Sequence, residues 1–287
     1  MKSVDEMIEL NRTQAKFYDS IQRAEDETKQ NGHVGNKSAN FVTRFWASMR
    51  VRQQKAVKLA GVEAEMKAAH ARWIASRKGG SFLELGCASG SPSTYQMVEL
   101  SAKYLGVDLS PLLAKSLNQR LAERGLGHKA TAQSLDILTM SEDTKFDVIY
   151  AHGVLHHFEN PEPLFRKLAA LCKPGGLLLF VDPCAINPIY RLLRSMYRPF
   201  QADAAWEWPF RQSTVDALER CFERVDGFGW GRRSLLLSVF TGVPILGGLL
   251  LKTYVRWTQQ EVAEGWHPKV WNNSMVTALY RVRKTLP

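Results

Sequence analysis

The chain has 287 residues, of which 45% are hydrophobic and 23% are charged. This composition supports one packed α/β domain with accessory segments and excludes a chain that is disordered throughout. The net charge is +10. Because the basic excess lies in residues 1–80 and 184–287, it favours anionic partners such as phosphate, lipid or nucleic acid, with solubility as the alternative.

The cysteines and the N-terminus indicate a reducing compartment. The four cysteines form no Cys-x-x-Cys pair and match no zinc-binding spacing. The first six residues are mostly polar and include two acids, which is unlike a signal peptide. We therefore expect a cytoplasmic protein with no metal site.

The first part of the chain is predicted to be helical. Apolar residues among polar ones predict a helix over residues 1–22, and a polar stretch with two glycines predicts a loop over residues 24–39. A second helix is expected to begin near Ser38–Asn40. Gly61 is expected to divide it from a third helix that ends near Lys78.

From residue 81 onwards, short apolar runs alternate with helical patterns. Such alternation predicts right-handed β-α-β units and a parallel sheet. The five strands predicted in this way are Ser81–Leu85, Tyr104–Val107, Ala130–Ser134, Phe146–Tyr150 and Leu177–Val181. Two more strands are expected at Phe222–Phe228 and Met275–Arg283, and the alternation in the latter favours an edge strand.

The loop after the first strand carries the spacing Glu-x-Gly-x-x-x-Gly, from Glu84 to Gly90. Glycines between a strand and a helix let backbone N–H groups approach a ligand closely. The dinucleotide fingerprint Gly-x-Gly-x-x-Gly would need glycine where this chain has Ala88 and Ser91. A dinucleotide site is therefore not favoured.

The Glu84–Gly90 pattern resembles motif I of the class I S-adenosylmethionine (SAM)-dependent methyltransferases of the small-molecule type. Four later segments resemble further motifs of that family in the same order: Tyr104–Ser110, Ser134–Ile137, Phe146–Phe158 and Leu171–Gly176. The resemblance covers residues 81–183. It implies an α/β fold with a Rossmann-like, doubly wound sheet of about seven strands, the last of them antiparallel.

The same resemblance implies a domain organisation. Residues 1–78 are expected to form an N-terminal helical lid over the cofactor. Residues 79–287 are expected to form the SAM-binding domain. Insertions on the substrate side are expected after the fifth and sixth strands, at about 184–212 and 232–270.

The cofactor implied by the resemblance is SAM, and the product is S-adenosyl-L-homocysteine. Asp108 is expected to hold both ribose hydroxyls, Asp136 the adenine amino group, and Glu84 the methionine amino group directly or through water. The implied cofactor residues are Glu84, Gly86, Cys87, Ala88, Gly90, Asp108, Leu109, Asp136, Ile137 and His152. Ala88 departs from the family, which usually has glycine at this position.

Three histidines follow the fourth predicted strand, at the edge where open α/β sheets place ligands. His152, His156 and His157 are therefore candidates for a general base or for positioning the acceptor. Support of the loop is the alternative. No carboxylates with ligand spacing accompany them, so a metal site is not predicted.

The acceptor is expected to contact segments outside the common core. The candidate residues are Tyr18, Trp46, Tyr190, Arg191, Trp206 and Trp208. Arginines interleaved with aromatic residues favour an anionic, ring-bearing or prenyl acceptor. A surface helix whose arginines reach out to solvent is the alternative.

Residues 234–251 contain no charged residue and have basic flanks. One interpretation is a buried insertion or the wall of a substrate tunnel. Another is a peripheral contact with the inner face of a membrane. A spanning helix is the least favoured, because Gly242, Pro244, Gly247 and Gly248 interrupt the segment.

These patterns predict methyl transfer from SAM to a small, hydrophobic or anionic acceptor, such as a natural product, a lipid or an isoprenoid. An RNA methyltransferase is the first alternative, since the chain is basic. The chain has no RNA-binding module and no motif of the Asn-Pro-Pro-Tyr type, so nucleic acid is not the expected partner. A non-catalytic SAM-binding partner protein is the second alternative.

Overall fold

The strands of the computed structural model form one seven-stranded sheet in the order β3-β2-β1-β4-β5-β7-β6. The structure describes residues 2–28, 40–241 and 244–284. The strands are β1 Ser81–Leu85, β2 Lys103–Asp108, β3 Ala130–Ser134, β4 Phe146–His152, β5 Cys172–Pro183, β6 Phe222–Trp230 and β7 Met275–Val282. Only β7 runs antiparallel to its neighbours, β5 and β6. The predicted α/β, Rossmann-like fold with an antiparallel last strand is confirmed.

Ten α-helices surround this sheet in the described residues. Their bounds are α1 Val4–Thr28, α2 Phe41–Leu59, α3 Val62–Ile74, α4 Pro92–Leu100, α5 Pro111–Glu123, α6 Pro161–Leu171, α7 Pro188–Tyr197, α8 Gln212–Cys221, α9 Ser234–Thr241 and α10 Pro244–Ala263. The loop predicted over residues 24–39 is wrong in its first part, because α1 continues to Thr28. Residues 29–39 lie outside the described residues. The boundary between a lid and a SAM domain at residues 78 and 79 stays a prediction.

Helix ends follow local sequence signals. Asn40 caps α2, because its side chain accepts a hydrogen bond from the backbone N–H of Thr43. Ser91 caps α4 in the same way, and Pro92 occupies the first turn, where its missing N–H costs nothing. Gly61 has a φ of 75° and separates α2 from α3, as the sequence predicts.

Two cores form on the two faces of the sheet, because side chains alternate along each strand. On one face, Leu83 and Phe180 pack with α6 and α8. On the other, Phe82, Tyr104 and Tyr150 pack with α4 and α5. The two cores therefore cover both faces of the parallel strands, and the carboxyl ends of these strands remain free for a site.

The last strand lies inside the sheet and not at its edge. β7 pairs with β5 on one side and with β6 on the other, and Val276, Ala278 and Tyr280 are fully buried. The edge-strand prediction for Met275–Arg283 is therefore wrong. An alternating pattern also arises in this inner strand, because the residues that point to its two buried faces differ in size and polarity.

The apolar segment 234–251 forms α9 and the start of α10, and residues 242 and 243 lie outside the described residues. No described helix is long and apolar enough to cross a membrane. The buried carboxylate of Glu261 accepts hydrogen bonds from the backbone N–H groups of Gly231, Arg233 and Ser234, which ties the start of α9 to α10. Leu236, Phe240 and Leu249 are exposed. Contact of this segment with a membrane stays a prediction.

Candidate active site

A cavity of about 240 Å³ lies at the carboxyl ends of β1, β2 and β4. Seven of the predicted cofactor residues lie in its wall: Gly86, Ala88, Asp108, Leu109, Asp136, Ile137 and His152. This is the edge where the strand order reverses, between β1 and β4, and α/β folds place their ligands there.

Helix α1 covers this cavity from the other side. Asn11, Gln14 and Tyr18 lie in the wall, and their spacing of three and four residues puts them on one helical face. Asn11 Nδ2 donates to Asp136 Oδ2 over 2.9 Å. Sequence reasoning missed Asn11 and Gln14, although two polar residues on an otherwise apolar helix face were the available signal. Tyr18, predicted to contact the acceptor, lies in this first cavity.

Asp108 ends β2 with its carboxylate held by the backbone. The Ala88 N–H donates to Oδ2 and the Ser110 N–H donates to Oδ1, each over 2.9 Å. Burial raises the pKa of Asp108 above its usual value, although these N–H groups oppose the shift. Each oxygen keeps a free lone pair, so the carboxylate can accept two further hydrogen bonds.

The loop after β1 has little room for larger side chains. A Cβ on Gly86 would lie 2.4 Å from Val154 Cγ2, and the φ of Gly86 is 63°. Ala88 also adopts the left-handed region, with a φ of 46°. Since a non-glycine residue at such a φ costs about 1–2 kcal/mol, the chain keeps a strained residue at the cavity wall.

Three of the predicted cofactor residues do not reach the cavity. The Glu84 carboxylate is buried behind the loop, where it accepts hydrogen bonds from Tyr104 OH over 2.6 Å and Thr94 Oγ1 over 3.0 Å. Burial raises its pKa to about 7. Cys87 is buried against Gly106, and Gly90 closes the turn by donating to Cys87 O. These residues shape the loop, and the contact of Glu84 with the methionine amino group, direct or through water, stays a prediction.

The three histidines occupy different environments. His152 and His157 lie in the cavity wall, whereas His156 does not. Tyr150 OH lies 3.3 Å from His152 Nδ1. His152 is exposed on the cavity side, and desolvation by the protein around it lowers its pKa. His157 Nδ1 donates to Trp206 O over 2.7 Å, and burial lowers its pKa to about 4. Both cavity histidines are therefore neutral near pH 7.

His156 belongs to a buried network of ion pairs. Its Nδ1 lies 2.6 Å from Asp182 Oδ1 and its Nε2 lies 3.2 Å from Glu207 Oε1. Desolvation is outweighed by these two carboxylates, which raise the pKa of His156 to about 9. Glu207 also pairs with Arg194. Because both nitrogens of His156 are bound to carboxylates, neither is available to take a proton from a ligand, so the structure does not favour His156 as the base. A positioning role stays a prediction.

A second cavity, of about 620 Å³, lies between α2, α7 and the end of β6. Trp46 and Tyr190, two of the predicted acceptor residues, lie in its wall, as does Glu63. β4 ends at His152 and pairs with β5, and β5 pairs with β7, whose first residue, Met275, lies in the wall of the second cavity. The two cavities therefore lie along the same edge of the sheet.

Three further predicted acceptor residues line neither cavity. Arg191 is exposed on the outer side of α7. Trp206 packs against Phe17, with ring centroids 4.9 Å apart, and Lys2 lies over the Trp208 ring. Contact of Arg191, Trp206 and Trp208 with the acceptor stays a prediction, which neither cavity supports. Trp206 packs against α1, and Trp208 lies beside Lys2, just before that helix.

Comparison with known proteins relates the chain to one family. Residues 83–178 match a family model described as a methyltransferase domain. The chain is 32% identical over 106 residues to the chloroplastic tocopherol O-methyltransferase of Arabidopsis thaliana, a match that covers 37% of this chain and 30% of that enzyme. It is 29% identical over 147 residues to the ubiquinone biosynthesis O-methyltransferase of Xanthomonas axonopodis pv. citri, covering 50% of this chain and 57% of that enzyme.

The fold is shared with a solved structure. The N-methyltransferase NodS from Bradyrhizobium japonicum WM9, in complex with S-adenosyl-l-homocysteine, matches with a TM-score of 0.50 and 15% identity. The match covers 77% of this chain and 87% of that one. At this identity, the likeness concerns the arrangement of strands and helices.

Proposed function

We propose that the protein transfers a methyl group from SAM to a small-molecule acceptor, from the premise that residues 83–178 match a methyltransferase domain. The observation that carries the proposal is the Asp108 carboxylate, which lies partly buried at the end of β2 with one free lone pair on each oxygen. A pair of adjacent ribose hydroxyls matches two such acceptors.

The other walls of the first cavity also fit this cofactor. The side chains of Leu109, Ile137 and Phe158 provide apolar surface for an adenine ring. Gly86 brings the backbone close, because no side chain fits there. When bound, SAM would supply an electrophilic methyl group on a sulfonium, a good leaving group.

Calorimetry with S-adenosyl-L-homocysteine tests the proposal. We expect one site per chain, and transfer of a labelled methyl group from SAM to at least one member of a panel of phenols. The panel follows from the relatives, which are named for O-methylation of tocopherol and in ubiquinone biosynthesis. If neither SAM nor S-adenosyl-L-homocysteine binds, the proposal is wrong.

His152 is the residue that we propose as the general base for a hydroxyl acceptor. It lies in the wall of the first cavity, at the edge of the sheet that also carries the second cavity. When its Nδ1–H donates to the Tyr150 hydroxyl oxygen, the lone pair of Nε2 is free to take a proton from the acceptor. Its lowered pKa keeps the ring neutral near pH 7, which a base requires.

Replacing His152 with Ala is expected to lower kcat by about 100-fold or more, the usual contribution of a positioned base. We expect KM for SAM to change little. The wild-type rate should be flat above about pH 7, because His152 is already neutral there. In the variant, the rate should rise with pH until the acceptor itself ionises.

His157→Gln is the matched control, because His157 lies in the same wall and already donates its Nδ1–H to Trp206 O. It should keep most of the activity. A His152→Ala enzyme with wild-type kcat and a flat pH profile would exclude the base role while leaving methyl transfer itself intact.

A further inference from the structure

The second cavity has two buried polar atoms in its wall without a hydrogen-bond partner in the described part of the chain. They are Arg194 Nε, a donor, and Gln201 Oε1, an acceptor. The whole Gln201 residue is only 8% exposed. Buried polar atoms of this kind are costly unless a ligand or water completes their hydrogen bonds. A ligand that accepts one hydrogen bond and donates another would complete both.

The charge of the cavity wall favours an anion. Its cations are Arg50, Lys58 and Arg194, and its carboxylate is Glu63. Glu63 is paired with Lys67 over 2.7 Å, so it does little to offset the wall cations.

Arg194 is held in place by a network of ion pairs whose charges cancel. Its partner is Glu207, and protonated His156 joins Glu207 to Asp182. The ion pair with Glu207 fixes the Arg194 guanidinium but leaves its Nε–H without a hydrogen-bond acceptor in the described residues. Arg50 and Lys58 then supply the excess positive charge that would attract a carboxylate.

An aromatic pair forms another part of the wall. The rings of Trp46 and Tyr197 stack with centroids 4.6 Å apart and planes 6° from parallel. The Arg50 guanidinium carbon lies 5.9 Å from the Tyr197 ring centre. Stacked rings beside a guanidinium suit a flat ring that carries an anionic substituent.

We propose that the second cavity binds the methyl acceptor and that the acceptor is a phenolic acid, an aromatic ring with a carboxylate and hydroxyl groups. Arg194 Nε–H donates to the carboxylate, which Arg50 also attracts. Gln201 Oε1 accepts from one hydroxyl, and the hydroxyl to be methylated faces His152. The inference rests on the proposed function, because it names the substrate class of the same enzyme.

The experiment compares 3,4-dihydroxybenzoate with catechol, which has the same two hydroxyls and no carboxylate. Both are titrated calorimetrically into the full chain, with and without S-adenosyl-L-homocysteine. We expect the acid to bind at least about 10-fold more tightly, the usual effect of a hydrogen bond to a charged group. Arg50→Gln should reduce this ratio severalfold, whereas Arg44→Gln, an exposed arginine of the same helix outside both cavities, should leave it unchanged.

Arg194→Lys gives the sharpest variant, because it keeps the charge opposite Glu207 but removes the Nε–H. The ratio should fall about 10-fold while the thermal midpoint stays near that of the wild type. Equal affinity for acid and catechol, or no binding of the acid at millimolar concentration, overturns the inference. If S-adenosyl-L-homocysteine binds in that case, the proposed methyl transfer stands; if it does not bind, that proposal fails separately.

Discussion

Replacing Asp108 with Ala is expected to weaken the binding of S-adenosyl-L-homocysteine by about 100-fold or more. Two hydrogen bonds from ribose hydroxyls to a carboxylate are lost, and bonds to charged groups contribute about 1.5–3 kcal/mol each. The Ala88 and Ser110 N–H groups also lose their acceptor, so the loop beside the ligand loosens. Calorimetry on the wild type and the variant measures the change.

The stability of the ligand-free protein should respond differently. Burial raises the pKa of Asp108, which means that the folded protein disfavours the charged form of this carboxylate. Keeping the carboxylate charged at neutral pH therefore costs folding free energy. Removing it should leave the thermal midpoint without ligand little changed. Asp216→Ala, at an exposed acid on α8, is the control for loss of a negative charge. Unchanged affinity in Asp108→Ala would mean that the ribose is held elsewhere.

Replacing His156 with Ala is expected to destabilise the fold by about 3–5 kcal/mol, the usual cost of breaking a buried ion pair. Asp182 is completely buried and Glu207 is 8% exposed. Among the described residues, loss of the histidine cation would leave Asp182 with no charged partner and Glu207 with Arg194 alone. Urea denaturation followed by circular dichroism measures the loss.

The same network predicts the pH dependence of stability. The pKa of His156 is raised from 6.5 to about 9 in the folded protein. The stability that it contributes is therefore complete below about pH 6.5 and is lost as the pH rises towards 9. The variant should lack this decline. An exposed histidine, His128, supplies the control substitution, and a wild-type stability that is flat from pH 6.5 to 9 would contradict the assignment.

Local signals predicted much of the fold. The bounds of β1 and β3 are those expected from the sequence, because short apolar runs end where glycine or polar residues begin. The place of β7 was not predictable from its alternation, since an inner strand between two unlike cores alternates as an edge strand does.

The sequence predicted those site residues that belong to one local strand-loop-helix pattern. It predicted less well those contacts that form between side chains from distant parts of the chain. Asp108 and Gly86 follow from a strand-loop-helix pattern. The partners of His156 come from residues 26 and 51 positions away, and no local pattern shows that they enclose it. No sequence pattern marks Gln201 as a binding residue. Its role is suggested only by the folded cavity, in which its side-chain oxygen has no hydrogen-bond donor among the described residues.

The position of β7 has a consequence for synthesis on the ribosome. β6 joins the sheet only through β7, and about 90 residues separate the end of β5 from the start of β7. While these residues are being translated, β5 has an open edge formed by an apolar strand, which invites pairing with other chains. At about 5–20 residues per second, this interval lasts roughly 5–20 s. We therefore expect this edge to need temporary cover, by the chain's own helices or by a chaperone, until the last strand closes the sheet.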